Sequence, residues 1–239
     1  MTVNYNPRIV TDGMILYLDA ANRKSYPGTG TTWIDLSGNG NNGTLVNGPA
    51  YSSIFGGSFL LDATNDEITL GGINWNTLGS TRNFTFMFGA KKIAYGTGGN
   101  NSGDSYLFQG ASNGYNSGWR IVEGNVGTPG TSFTGTQNYY LGSPSISVNV
   151  GVIDDVANRF AVCAFTQNGT SASAFLNGKT NTATFGSYVS GTNTGFMGRQ
   201  DSGVGRFNGY ISFVLVYKRA LTAAEILQNY NATRSRFGI

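Results

Sequence analysis

The sequence predicts an all-β fold, a sandwich of two antiparallel sheets with one short C-terminal α-helix, and three observations predict it. Short apolar runs recur between clusters of Gly, Asn, Ser and Thr along all 239 residues, 36 of them Gly and only 5 Pro, the cadence of strands joined by turns. Within the runs large side chains take alternate positions, as in Phe84-Thr85-Phe86-Met87-Phe88, which sets one strand face against a core. Paired helix signals converge on one segment, just after Leu221. A hydrophobic content of 39% over this length supports one large domain, with an N-terminal arm over residues 1–12, the sandwich over 13–231 and a tail over 232–239.

The first strand is read at residues 14–18, in Met14-Ile15-Leu16-Tyr17-Leu18. After a polar excursion the run from Asp35 to Gly43 forms a tight turn into another strand. Asp35 and Ser37 accept hydrogen bonds from backbone two residues on, while the Gly and Asn residues between them accept positive φ. Further strands are expected at residues 58–62, 66–70, 83–90, 105–109, 118–123, 159–166, 172–177, 181–186 and 209–217. The stretch from Tyr95 to Gly118 is either a long loop or a hairpin around Ser105-Tyr106-Leu107-Phe108-Gln109. Asn177-Gly178 marks a two-residue hairpin, since both residues tolerate the positive φ of a type I′ turn. The run Ile211-Ser212-Phe213-Val214-Leu215-Val216-Tyr217 is apolar on both faces, as a central strand requires. Thr222 as N-cap and Glu225 three residues on form a capping box, with Leu221 and Ile226 as a hydrophobic staple.

Composition excludes several function classes. Only 11% of residues are charged and the net charge is +3. The basic residues are scattered apart from Lys218-Arg219, Arg234 and Arg236, a poor footprint for nucleic acid. Cys163 is the single cysteine and sits in the apolar run Phe160 to Phe165, so it reads as a core side chain and no intrachain disulfide forms. No stretch approaches the roughly 18 apolar residues of a membrane span, and no basic start leads into a signal-like apolar segment. The expectation is a protein made and folded in a cytoplasm, without a membrane partner.

The run Asp35-Leu36-Ser37-Gly38-Asn39-Gly40-Asn41-Asn42-Gly43-Thr44-Leu45, preceded by Gly13 to Ala20, resembles the opening of laminin-G-like, concanavalin A-like domains. Gly57 to Asp66, then Ala174-Phe175-Leu176-Asn177-Gly178-Lys179, and then Phe207-Asn208-Gly209-Tyr210-Ile211 running to Ile226 follow in the expected order. The resemblance spans about residues 12–231 and is thinnest between about 71 and 170. It implies a concanavalin A-like jelly roll. The ending from Gln228 to Ile239 resembles single-domain versions in tailed-bacteriophage virion proteins.

Histidine is absent, which removes the usual general base, the serine and cysteine triads and the commonest zinc ligand. The resemblance implies that a glycosidase of this superfamily would carry carboxylates at alternate positions of one strand. No E-x-D-x-x-E pattern occurs, and Glu123 stands alone on an expected strand, so no catalytic residue is assigned. The same resemblance makes calcium the metal candidate, at Asp35, Asn39, Asp62 and Asp66, which supply hard oxygen ligands but are turn residues first. No cofactor is otherwise required. Sugar contact needs an aromatic face beside amides, which Trp75, Tyr115, Trp119, Tyr139 and Tyr140 offer near Asn74, Asn113, Asn116 and Asn138.

The functional expectation is a non-catalytic virion surface protein of a tailed phage, a capsid decoration, fibre or tail component that displays a lectin-like sandwich. The alternative is a carbohydrate-binding lectin module for host or glycan recognition. Expected partners are phage capsid or tail proteins, cell-surface glycans and a second copy of the chain. Arg234, Arg236 and Phe237 are the attachment candidates, on a tail expected to stay mobile until it docks and to be dispensable for folding.

Overall fold

Two antiparallel sheets enclose the core. The computed structural model describes residues 7–94, 105–110, 119–123, 136–141, 146–152, 160–177, 179–184, 195–199 and 205–239. The strands are β1 (Met14–Asp19), β2 (Thr32–Trp33), β3 (Gly43–Val46), β4 (Ala50–Ser52), β5 (Ser58–Asp62), β6 (Glu67–Leu70), β7 (Asn83–Ala94), β8 (Ser105–Gly110), β9 (Trp119–Glu123), β10 (Thr136–Leu141), β11 (Ile146–Val152), β12 (Ala161–Asn168), β13 (Ser171–Leu176), β14 (Lys179–Thr184), β15 (Gly195–Met197) and β16 (Asn208–Tyr217). Two α-helices, α1 (Trp75–Thr81) and α2 (Ala223–Thr233), and single 3-10 turns at Ile54–Gly56 and Arg234–Phe237 complete the described elements.

The first sheet runs β14-β13-β12-β7-β16-β5-β4, with β1 also on β16, and the second runs β11-β10-β9-β8-β15-β6-β3-β2. Phe84, Phe86 and Phe88 of β7, Val214 and Val216 of β16 and Leu16 and Leu18 of β1 meet Ile68, Leu70, Phe108 and Met197 of the second sheet in one buried cluster. Cys163, the single cysteine, is buried there. The alternation read in Phe84 to Phe88 is thus the inward face of a central strand.

β16 is central, as its two-sided apolarity requires. β7 lies along one edge, and β5 and β1 share the other end to end: β5 pairs with Asn208 to Ile211, and β1 with Phe213 to Tyr217. Their junction is Ser212, where the register with β7 shifts. Its carbonyl accepts from Ala20 N at 2.9 Å and its hydroxyl donates to Gly57 O at 2.7 Å. Gly57 is required here, because at φ 147° a Cβ would stand 2.4 Å from Ala20 O.

The outer face of the first sheet carries a second cluster, in which Met87, Phe160, Val162, Phe213, Leu215 and Tyr217 are covered by Val10, Leu221, Ile226 and Phe237. Both ends of the described chain therefore serve as a lid, which corrects the expectation of a mobile tail. The segment from Pro7 to Asp12 is not left free: Val10 N donates to Asn229 Oδ1 at 2.8 Å, and Tyr217 OH donates to Val10 O at 2.9 Å. Burial pushes the Tyr217 phenol well above the ordinary tyrosine range, so it stays a donor.

The tail is not mobile either. Phe237 stacks on Phe160 with ring centres 3.7 Å apart, and Arg236 Nη1 donates to Asp19 Oδ1 at 2.7 Å. The guanidinium of Arg236 also lies over Phe213 and Phe237, and that of Arg234 lies over Tyr230. Arg236 and Phe237, expected to await a partner, are thus used inside the fold. Their slot is assembled from segments distant in sequence.

The expected helix is present with both bonds of its capping box, Glu225 N to Thr222 Oγ1 at 3.3 Å and Thr222 N to Glu225 Oε2 at 2.8 Å. The Asn177 turn also stands: Leu176 pairs with Lys179 and Asn177 has φ 44°, while Gly178 lies outside the described residues. Asn177 does more than turn, since its side chain accepts from Val162 N at 2.8 Å and ties the hairpin to β12. The expected strands at residues 105–109 and 118–123 form a β8–β9 pair. Helix α1, whose Asn74 cap accepts from Thr77 N, and the strands β2, β4, β10, β11 and β15 are additions to the expected set.

Two outcomes follow from the lid. Phe237→Ala, which empties a packed aromatic slot, should lower stability in urea unfolding by about 3 kcal/mol, and removal of residues 232–239 should cost at least as much. The Arg219 guanidinium, with help from Thr222, holds the Glu225 carboxyl down at about 2. A carboxyl depressed in the fold contributes stability that is present above its ordinary pKa and is lost as pH falls from about 4.5 toward 2. Glu225→Gln should flatten that part of the melting-temperature profile against pH.

Candidate functional site

The face of the second sheet that turns away from the core holds the arrangement best suited to a ligand. In β6, β15 and β8 the core takes Ile68, Met197 and Phe108, so their neighbours Thr69, Phe196 and Gln109 project from the opposite face. Strand pairing aligns these in one row, Thr44–Thr69–Phe196–Gln109. Glu67, one inter-residue repeat along β6, shares that face. Arg199 follows β15, lies over the Phe196 ring with its guanidinium carbon 3.9 Å from the centroid, and pairs with Glu67. A second contact in the pair, Arg199 Nη2 to Glu67 Oε1, is 3.3 Å.

Chemically, this is a row of graded burial, with Thr44 exposed, Thr69, Phe196 and Arg199 half-buried, Glu67 9% exposed and Gln109 buried at 1%, in which one carboxylate and one guanidinium are held in fixed geometry. Such a set can accept from and donate to adjacent hydroxyl groups at once. None of its members was expected as a site residue. The Arg199–Glu67 pair joins positions 132 residues apart, and β15 is a three-residue strand, so no local signal exposes it.

The row continues in register through Arg120 of β9 to Tyr140 of β10 and Ser147 of β11. Tyr139 stands instead in the row of Ile68, Met197 and Phe108, through Ile121. Trp119 pairs with Gly110 and Leu141. Tyr115 lies outside the described residues. Trp75 is a correction: it is 0% exposed, donates Nε1–H to Leu70 O at 3.0 Å and packs between Phe86 and Phe108, so it has no face for a sugar.

The calcium candidates fall into two separate turns, where their side chains hold the backbone. The Asp35 carboxylate accepts from Tyr17 N, Ser37 N, Ser37 Oγ and Asn41 N at 2.8–3.0 Å. Both its oxygens are thus engaged in holding the turn. Asn39 uses its amide N–H on Met14 O and Ser37 Oγ. At the other turn Asp66 accepts from Asp62 N, and Asp62 accepts from Thr64 N. Burial raises the Asp66 carboxyl above its ordinary value, and Arg206 is the positive charge facing it. Among the described residues no three acidic, His or Cys side chains gather as a metal-ligating group.

The expected result is that EDTA and added calcium leave the melting temperature unchanged. Asp35→Ala, which strands buried backbone donors, should lower stability by roughly 3 kcal/mol in either condition. A chelator-sensitive melt would overturn this assignment of the turns.

A model of the concanavalin A-like lectin/glucanases superfamily matches residues 62–227. Curated protein sequences give no match. Among solved structures, Trypanosoma rangeli sialidase in complex with sialic acid is similar at TM-score 0.67 and 12% identity, over 98% of this chain and 36% of that one. Domain 4 of an extracellular arabinanase from Geobacillus stearothermophilus, in complex with arabinotriose, is similar at TM-score 0.62 and 18% identity, over 92% of this chain and 98% of that one. The binding domain of botulinum neurotoxin serotype D is similar at TM-score 0.66 and 15% identity, over 92% and 52%. At these identities the likeness is one of fold, and this chain spans about a third of the sialidase.

Proposed function

The chain belongs to the concanavalin A-like lectin/glucanase superfamily, and from that premise we propose that it is a non-catalytic sandwich that contacts glycans. The contact surface is the outward face of its second sheet. The observation that carries this reading is the aligned row Thr44–Thr69–Phe196–Gln109 beside the Glu67–Arg199 pair. It joins aromatic surface to paired donors and acceptors, the combination that hydroxyl-rich ligands call for. Further support comes from the arabinanase domain, which is nearly coextensive with this chain and was solved with arabinotriose.

Display rather than turnover is favoured by the side chains available. The chain has no histidine. Glu67 is tied to Arg199, and Glu225 to the helix cap and Arg219. Glu123 on β9 is the remaining glutamate, and no E-x-D-x-x-E pattern sets a second carboxylate at alternate positions beside it, whereas glycoside hydrolysis requires a pair. The setting we propose is the virion surface of a tailed phage, as a capsid decoration, fibre or tail component. Its support is the resemblance of the segment from Gln228 to Ile239 to such proteins. Since Arg236 and Phe237 are engaged internally, attachment would use other surface.

A glycan array followed by calorimetry tests the proposal. A selective hit is expected, with no reducing sugar released. Glu67→Gln, which keeps the shape and removes the charge, should weaken binding about tenfold, as loss of one charge-assisted hydrogen bond does. An empty array, or hits indifferent to both Glu67→Gln and Thr69→Lys, would overturn the site.

A further inference from the structure

The arm before β1 is held without a β-ladder, at alternate residues, and from one side. Gln228 Nε2 of α2 donates to Arg8 O at 2.7 Å. Asn229 and Tyr217 take both backbone groups of Val10. Arg219, itself bound to Glu225 of α2, donates to Asp12 O at 3.1 Å and pairs with Asp12 Oδ2 at 2.8 Å. The middle contact is a closed ring: Val10 N–H to Asn229 Oδ1, Asn229 Nδ2–H to Tyr217 OH at 3.0 Å, and Tyr217 O–H to Val10 O. Asn229 and Tyr217 are 0% exposed.

Among the described residues, every hydrogen bond from the arm to the rest of the chain, apart from the turn bond of Met14 N to Thr11 O, thus runs to α2, to the loop that caps it, or to a hydroxyl that α2 also binds. Departure of the arm deprives Asn229 Oδ1 and the Tyr217 hydroxyl of the partners they have in the ring. Departure of α2 deprives Val10 N–H of its acceptor and removes Ile226 from the apolar face that Val10 also covers. Buried polar groups are seldom left unpaired, so each element's docking favours the other's, and the coupling is reciprocal.

We infer that the arm Pro7–Asp12 and helix α2 form one two-ended latch over the outer face of the first sheet, and that they open together. Whatever engages the arm thereby controls, through a helix at the opposite end of the chain, exposure of Met87, Val162, Phe213 and Leu215.

Hydrogen exchange by mass spectrometry on the full chain tests this, with trypsin cleavage after Arg8 as the measure of arm release. Val10→Pro, which removes the N–H of the ring, should speed exchange across Ala223–Thr233 about tenfold, within the range of ordinary coupling between sites. Asn229→Ala should speed cleavage after Arg8 by a similar factor. Amides of β7 and β12 should keep their protection in both. Gln228→Ala, which removes one rim bond, guards against a Val10→Pro chain that fails to fold: it should raise cleavage and helix exchange together by a smaller factor. Release of the arm without faster exchange in α2, in Val10→Pro or in Gln228→Ala, would overturn the latch.

Discussion

Burial of β16 on both faces is the constraint from which the architecture follows. Val214 and Val216 enter the inter-sheet core, while Phe213, Leu215 and Tyr217 project the other way. An open sandwich would leave those three in water, at a cost of roughly 1.5–3 kcal/mol for each large apolar side chain. The lid of arm, α2 and Phe237 is therefore a third layer with its own packing, and not trim on a finished sandwich. Within it Asn229, 0% exposed, has both an acceptor and a donor bond.

With one sheet capped on its outer side, the outward row on β6, β15 and β8 offers a contrast: it combines hydroxyl, ring, amide and ion pair, whereas the corresponding face of the first sheet is apolar and covered. The two sheets thus differ in what their outer faces carry, one apolar and closed by its own chain and one polar. Membership of a superfamily with lectins and glucanases fits that division, because a fold reused for both binding and hydrolysis differs between them in the side chains of the site.

How much of this the sequence discloses depends on how locally each signal is written. The Asp35 turn, the Asn177 hairpin and the Thr222–Glu225 cap are made by residues within a few positions of one another, and each is where the sequence places it. The two-sided apolarity of Ile211 to Tyr217 announces a central strand, but not what covers its second face. Phe237 reads as a loose end because its slot needs Phe160 and Phe213, and the ligand face needs Glu67 to find Arg199. Trp75 misleads for the opposite reason: among Asn residues it looks like a loop aromatic, yet a bond to Leu70, five residues back, turns it inward.

The sharing of one edge of β16 by β1 and β5 has an evolutionary consequence. Because the end of β1 and the start of β5 are pinned at Ser212, the stretch between them, which supplies β2 and β3 to the second sheet and β4 to the first, returns to the same point. The length of the loop between β1 and β2 is decoupled from the register of either sheet. At its tip Gly28 and Gly30 are exposed, with no other atom where a Cβ would stand, and lengthening a loop there costs only a slowly growing closure entropy. Residues 28–31 are thus a graft point, where inserted sequence would be carried on the surface of the protein while the sheets beneath stay in place.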